Sequence, residues 1–411
     1  MSCRASAAVT PGSNGMPRPV ASIRNCSTFH RVKSKIALMA TIALDATYTV
    51  GPQPSGVAVY CRRLIESLAT LECEHYYLLC YRISRFKQRR DFLRPNAIPQ
   101  PRRPRFSVRF YHNPWTFWLP WQAELFHSLA QRPPAFRFKK EIVTVHDLFP
   151  LTGKDYSTPE FQRKFSALLL EAVERAVRVI TPSRHTADQL LKHTAVSREK
   201  IRVIPHGVDF PANSLSPESR VLERERLVGK GNTMILAVGW IETRKNILNA
   251  LKALRHLPSR YRLVIAGGNG HGSQAVHDFI RTEGLSSRAV VLGYVPAKRL
   301  PVLYDAANVF LFPSFDEGFG FPVLEAMAHG LPVVASETAS LPEVGGDAAI
   351  YVNPRDPQDI AEKVIRAAED EGLRKPMIER GLERARQFTW RRTASAHLDV
   401  YDEVQAMEPV H

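Results

Sequence analysis

The chain has 411 residues, 44% of them hydrophobic and 23% charged. That make-up excludes a disordered chain as the default and suffices for two or three domains, each with its own core. Lys and Arg outnumber Asp and Glu by 56 to 40, a net charge of +16. Such an excess favours an anionic partner (nucleic acid, phosphorylated ligand or membrane surface) without choosing among them. The five cysteines, Cys3, Cys26, Cys61, Cys73 and Cys80, lack paired metal-ligand spacing and are odd in number. A reducing, cytoplasmic compartment is therefore expected rather than a secreted disulfide scaffold. No run approaches the ~20 apolar residues of a membrane-spanning helix.

Residues 1–38 contain no Asp or Glu and are rich in Ser, Arg and Lys. Three readings stand: an extension upstream of a true start at Met39, an organelle transit segment, or a disordered basic arm. Met39 lies directly before the first strand-like run, which favours the first. Ile36–Leu44 could pass for a short signal-peptide core, but Asp45 interrupts it, and a strand is the better reading.

Strand-like runs then alternate with helix-length segments, the pattern of parallel α/β sheets. Strands are expected at Thr41–Asp45, Tyr76–Tyr81, Glu124–Ser128, Glu141–His146, Arg178–Pro182 and Lys200–Pro205. Helices are expected near 57–70, 158–176 and 184–194, the last capped by Ser183. Between Arg82 and Arg109 stand ten basic residues and one acid, Asp91, followed by Phe110, Tyr111, Trp115, Phe117, Trp118 and Trp121. This stretch reads equally as a solvated loop over aromatic core or as a surface, 82–121, for anionic lipid headgroups. Single-stranded nucleic acid ranks last, because no nucleic-acid-binding motif accompanies the charge.

Residues 207–232, with Pro211, Pro217 and Gly229-Lys-Gly231, read as a linker. A second series follows: Met234–Gly239, Tyr261–Gly267, Ala289–Gly293, Asn308–Pro313 and Leu331–Ala335. The expected organisation is a first Rossmann-like domain over 39–206, the linker, a second over 233–388, and a crossover helix and tail over 389–411. Both sheets would present their carboxyl ends to one cleft.

The most informative segment runs from Pro313 to Gly330. After an apolar strand, Glu317-Gly-Phe-Gly320 forms a loop whose glycines let a ligand approach the backbone. Pro322 suits the start of a helix and Gly330 its end, so free amides and the positive dipole end would face the loop. Glu317 in the loop and Glu325, expected in the helix's first turn, offer two carboxylates for hydroxyl pairs. As an alternative, both are ordinary helix N-terminal acids. Arg244-Lys245 follow a strand directly, where cations oppose a helix dipole unless an anion visits. Gly267-Gly268-Asn-Gly270 ends another strand as a turn or as a cleft edge. His146 ends an apolar strand; a lone His there is often structural, but this one falls at the cleft edge.

Glu317 and Glu325 match the E-x7-E element of family 4 (group 1) retaining glycosyltransferases. Phe315-Asp-Glu-Gly-Phe-Gly-Phe-Pro-Val-Leu-Glu-Ala-Met-Ala resembles that family's signature. The likeness also takes in Gly239–Asn246, Leu341-Pro-Glu-Val-Gly-Gly-Asp-Ala348, Val145-His-Asp-Leu148 and Pro205-His-Gly-Val-Asp209, and spans roughly residues 39–405. It implies the α/β GT-B fold: two Rossmann-like domains facing across a deep cleft, with a C-terminal helix crossing back to the first. It implies a nucleotide-diphosphate sugar, GDP- or UDP-linked, as substrate and no cofactor. Glu325 would hold the donor ribose, with Gly318, Phe319, Gly320, Gly56, Val295 and Leu324 as further donor contacts. Glu317, His146, Arg244 and Lys245 would serve the reacting centre, the cations gripping the diphosphate. No Asp-x-Asp metal motif occurs, and no metal is expected.

The resemblance further implies retention of configuration and a saccharide or lipid-linked acceptor. The Arg-Lys-Asn246 variant leans toward GDP-mannose and polysaccharide assembly. A cytoplasmic location follows, peripheral on the inner membrane face if 82–121 docks there. Three alternatives stay open: another GT-B reaction such as epimerisation or phosphorolysis, a noncatalytic nucleotide-sugar binder, and a nucleic-acid-binding protein.

Overall fold

The computed structural model describes residues 39–50, 55–82, 105–111, 118–153 and 155–408. Seven strands build the first lobe: β1 (Thr41–Asp45), β2 (Tyr76–Arg82), β3 (Phe106–Tyr111), β4 (Leu125–Ser128), β5 (Glu141–Thr144), β6 (Arg178–Thr181) and β7 (Ile201–Val203). All pair in parallel, in the order β3-β2-β1-β4-β5-β6-β7. The central strands are near-continuous apolar runs because helices cover both faces of a parallel sheet; β4 and β5 are buried at every position.

Six strands build the second lobe: β8 (Thr233–Val238), β9 (Tyr261–Ala266), β10 (Ala289–Gly293), β11 (Val309–Phe312), β12 (Val333–Ser336) and β13 (Ile350–Val352). Their order is β10-β9-β8-β11-β12-β13, again all parallel. Each sheet therefore reverses its winding beside its first strand, at β1/β4 and at β8/β11. Crevices for ligands open at the carboxyl ends of the strands flanking such points.

Three elements differ from expectation. Phe106–Tyr111 is a strand, although it ends the most basic stretch; Phe106, Val108 and Phe110 alternate with Ser107 and Arg109 and pack on the first-lobe core. The expected linker contains a helix, Pro217–Val228, capped by Ser216 and opened by Pro217. The short edge strand β13 is a further addition. Residues 1–38 and most of the Arg82–Arg109 stretch lie outside the described residues. No described helix is long and apolar enough to cross a membrane.

The last helix, Trp390–Gln405, returns to the first lobe as expected. Thr389 caps it, and Trp390, Ala394, Val400, Tyr401 and Val404 join the core built by β1, β2 and the helix Gly56–Leu68. Where the chain crosses between lobes, its two passages are tied: the Val208 amide donates to the Phe388 carbonyl at 3.0 Å.

A buried polar chain fixes this helix in place. His397 Nδ1 lies 2.7 Å from the Thr393 carbonyl, which can only accept, so Nδ1 carries the proton. His397 Nε2 must then accept from Tyr60 Oη at 2.9 Å, and Tyr60 accepts from Thr144 Oγ1 at 3.0 Å. Thr144 accepts in turn from His127 Nε2 at 2.9 Å, leaving His127 Nδ1 to accept from Tyr401 Oη at 2.8 Å. Every bond runs in one direction, and both imidazoles are neutral. Burial pushes His127 well below its ordinary range and His397 down to about 4.

Candidate functional site

One cavity of about 420 Å³ lies between the lobes at the carboxyl ends of both sheets. The loop after β1 brings Ser55 and Gly56, and the segment after β5 brings His146 and Asp147. From the second lobe, β8 leads into Gly239, Trp240, Glu242, Arg244 and Lys245. The loop after β11 brings Glu317 to Gly320, and the following helix brings Glu325. Thus Glu317, His146, Arg244, Lys245, Glu325, Gly318, Phe319, Gly320, Gly56 and Val295 meet in one space.

Leu324 does not join them. It is fully buried in the second-lobe core, with Val323 and Met327. On a helix, its neighbour Glu325 points about 100° away, and here Glu325 faces the cavity while Leu324 faces the core. Glu325 also sits later than expected. The helix runs Phe321–Ala328 with Gly320 as its cap, at φ +101°, so Glu325 is its fifth residue and lies in the second turn.

Glu317 is 7% exposed and is held by two cations. Lys245 Nζ donates to its Oε1 at 2.5 Å and Arg244 Nη1 to its Oε2 at 3.3 Å. Burial opposes the charge on Glu317, yet the two cations outweigh it and hold the carboxyl below its usual range. Burial likewise pushes the Lys245 ammonium down, with Glu317 opposing. Arg244 is desolvated too, but Glu317, Glu242, Asp147 and Asp316 keep its guanidinium charged. Glu242 lies 3.0 Å from Arg244 Nε as an ion pair without hydrogen-bond geometry. Arg244 also stacks on Phe149 of the first lobe, at 4.9 Å.

Glu325 accepts a 2.7 Å hydrogen bond from Tyr304 Oη. Burial raises its carboxyl, and that bond counters the rise. Its other oxygen has no hydrogen-bond donor among the described residues, which suits a diol. The imidazole of His146 is committed on both sides. Nε2 donates to the Leu129 carbonyl at 2.9 Å, so Nδ1 accepts from His206 Nε2 at 3.3 Å. Burial holds His146 down to about 4, so it is neutral at pH 7.

The lobes meet tightly behind the cavity. Ser183 Oγ, expected only as a helix cap, accepts from the Thr186 amide and donates to the Gly318 carbonyl at 2.7 Å. Glu343 of the second lobe accepts from the amides of Arg184 and His185 at that helix's start. Thr152 donates to Asp316 at 2.6 Å. Sequence reasoning missed Tyr304, Glu242, Asp316 and His206 as site groups. Glu242, Asp316 and His206 lie inside segments that carry the family likeness; Tyr304 carried no spacing signal.

Residues 220–384 match the family model for glycosyl transferases group 1, and residues 54–210 match that for glycosyltransferase family 4. The O-antigen chain mannosyltransferase B of Escherichia coli is 30% identical over 73% of this chain and 77% of its own length. The serotype-specific mannosyltransferase WbdA of Escherichia coli is 32% identical over 63% of this chain; the match spans 33% of that longer protein. Among solved structures, sucrose-phosphate synthase from Thermosynechococcus elongatus superposes with a TM-score of 0.68 at 21% identity, covering 89% of this chain and 99% of that one. Anabaena HepE in complex with UDP-glucose gives 0.68 at 17% identity, covering 90% and all of its chain. These two likenesses concern the fold.

Proposed function

The chain belongs to the family 4, group 1 glycosyltransferases, and from that premise we propose that it transfers mannose from GDP-mannose to a saccharide or lipid-linked acceptor in polysaccharide assembly. The observation that carries the transfer reading is the buried Arg244–Lys245 pair against Glu317, at the mouth of the Gly318–Gly320 loop. The mannosyl assignment draws on the two Escherichia coli relatives described above, both mannosyltransferases and one of them of O-antigen chains.

The diphosphate would sit on Arg244 and Lys245 and on the amides of the Gly318–Phe321 segment that leads into the helix Phe321–Ala328. Glu317 would then exchange part of its ion pairing for hydroxyls of the sugar. Glu325, set by Tyr304, would hold the ribose diol. The transfer would retain anomeric configuration by front-face substitution: the diphosphate leaves, an oxocarbenium-like centre forms, and the acceptor hydroxyl attacks from the same side. The departing phosphate oxygen would take the acceptor proton. The protein's contribution is positioning and fixed charge, with the two cations stabilising the leaving group and no metal or cofactor assigned a step. Exposed Trp121, at the end of the basic stretch, supports docking of the first lobe on an anionic membrane surface.

A thermal-shift and hydrolysis panel of nucleotide sugars tests this reading. GDP-mannose should raise the melting temperature of the wild type, because a ligand of the folded state stabilises it by mass action. Glu325→Ala should abolish that shift. A shift with UDP-sugars alone would overturn the donor assignment. No shift with any donor would overturn the site.

A further inference from the structure

Asp147 follows His146 out of β5 and lines the same cavity, and no described residue gives its Oδ1 a hydrogen bond. That oxygen is buried. A buried carboxylate oxygen left unpaired is costly, and such groups persist where a ligand completes them. The charges it feels come from the opposite lobe: Arg244, Lys245, Glu317 and Asp316. The two cations, however, are already bonded to Glu317. Asp147 also lies against the glycine loop, since a Cβ placed on Gly318 would stand 3.0 Å from its own.

These positions bracket the space between the cation pair and the Gly318–Gly320 loop, where the transferred sugar sits in the function proposed above. The chemistry that completes a carboxylate in that space is a hydroxyl O–H. A phosphate would be repelled, and the cations are held elsewhere. We propose that Asp147 is a donor-sugar-binding residue, contributed by the first lobe, which accepts a hydrogen bond from one hydroxyl of the transferred pyranose. Glu317 and Asp147 would then grip the sugar from opposite lobes, so that donor binding itself favours the closed cleft. Burial and the neighbouring acids Asp316 and Glu317 raise its carboxyl to about 6, with Arg244 and Lys245 opposing. It is thus mainly ionised at neutral pH, the form that accepts most strongly.

The inference rests on the glycosyl-transfer reading, and its test separates the two. Wild type, Asp147→Ala and Asp147→Asn are assayed with GDP-mannose and with its 2-, 3-, 4- and 6-deoxy analogues. Asp147→Ala should lower kcat/KM with GDP-mannose by on the order of 10- to 100-fold, as expected for a hydrogen bond to a charged group. One deoxy donor should cost the wild type a similar factor. That same donor should cost Asp147→Ala nothing further, while the other three cost both proteins alike. Asp147→Asn, which keeps shape and an acceptor oxygen, should fall between and carries the cycle if the alanine variant does not fold. Additive losses for all four analogues would overturn the contact, because a residue that only supports the fold weakens every donor equally. Should the donor be another nucleotide hexose, its own deoxy series carries the same test. Absence of turnover by the wild type with every nucleotide hexose would overturn the transfer reading and this inference with it.

Discussion

At the residue scale, the site is a small set of charges whose burial makes each of them matter. Lys245 and Arg244 neutralise Glu317 in a space with little water, and removing one member leaves an uncompensated charge. Lys245→Ala should therefore cost about 3 kcal/mol or more of stability, the usual effect of breaking a buried pair. The variant should stay folded at 25 °C by circular dichroism while its turnover falls by orders of magnitude; Glu317→Ala should lose turnover to a similar extent. Near-normal transfer by either variant would remove the role assigned to it. Tyr304→Phe takes away the hydrogen bond that orients Glu325 and should raise the donor Kd on the order of tenfold, read by titration calorimetry. Glu317 and Glu325 stood out because their spacing around Gly-x-Gly is unusual, and Arg244-Lys245 because cations after a strand oppose a helix dipole. Leu324 was misread because adjacency in sequence is not adjacency on a helix face. Tyr304 was illegible because its partner lies 21 residues away with no pattern between them.

At the scale of elements, the cleft is held at a loop position, Gly318, that has no room for a side chain. A Cβ on Gly318 would stand 1.7 Å from the His146 carbonyl of the other lobe. Gly318→Ala should therefore force the lobes apart and break the bonds from Ser183 and Thr186 to the Gly318 carbonyl. Transfer should drop at least a hundredfold, with a larger radius of gyration in small-angle scattering on donor-saturated protein. An unchanged radius and activity would show that the loop can shift. The alternation of strand and helix was readable almost throughout, because buried parallel strands are plain apolar runs. β3 escaped because its charge count hid a clear period of two, Phe106-Val108-Phe110 against Ser107-Arg109. The helix Pro217–Val228 carried its cap and proline in view, but serines and charges made it look like linker.

At the scale of the whole molecule, the two lobes share one arrangement, and the last helix belongs to the first of them. The hydrogen-bond chain that seats it works only with neutral histidines. His397 of that chain is held down to about 4, as is His146 at the cavity, outside the chain, against 6.5 for a free imidazole. Between those values the unfolded chain binds protons that the folded one does not, so stability rises with pH there. The contribution is complete above pH 6.5 and is lost as pH falls toward 4, on the order of 3 kcal/mol for each group. The urea midpoint should drop steeply between pH 6.5 and 4.5; a flat profile would mean that these rings are charged or solvated. None of this network was legible in the sequence, since Tyr60 and His397 stand 337 residues apart and no periodicity links them.

That distance has a further consequence, in time rather than in space. A ribosome delivers the chain from its amino end at ~5–20 residues per second, and domains generally fold in the order they emerge. Here the first lobe cannot do so completely. Tyr60 waits for His397 and His127 for Tyr401, and the groove over the helix Gly56–Leu68 waits for Trp390, Val400 and Tyr401. At 337 residues the delay is roughly 20–70 s, during which the second lobe is made and can fold. The earliest part of the protein to be synthesised is thus the last to be finished, and a nascent chain that stops short of residue 390 leaves that lobe's apolar groove open to chaperones or to aggregation.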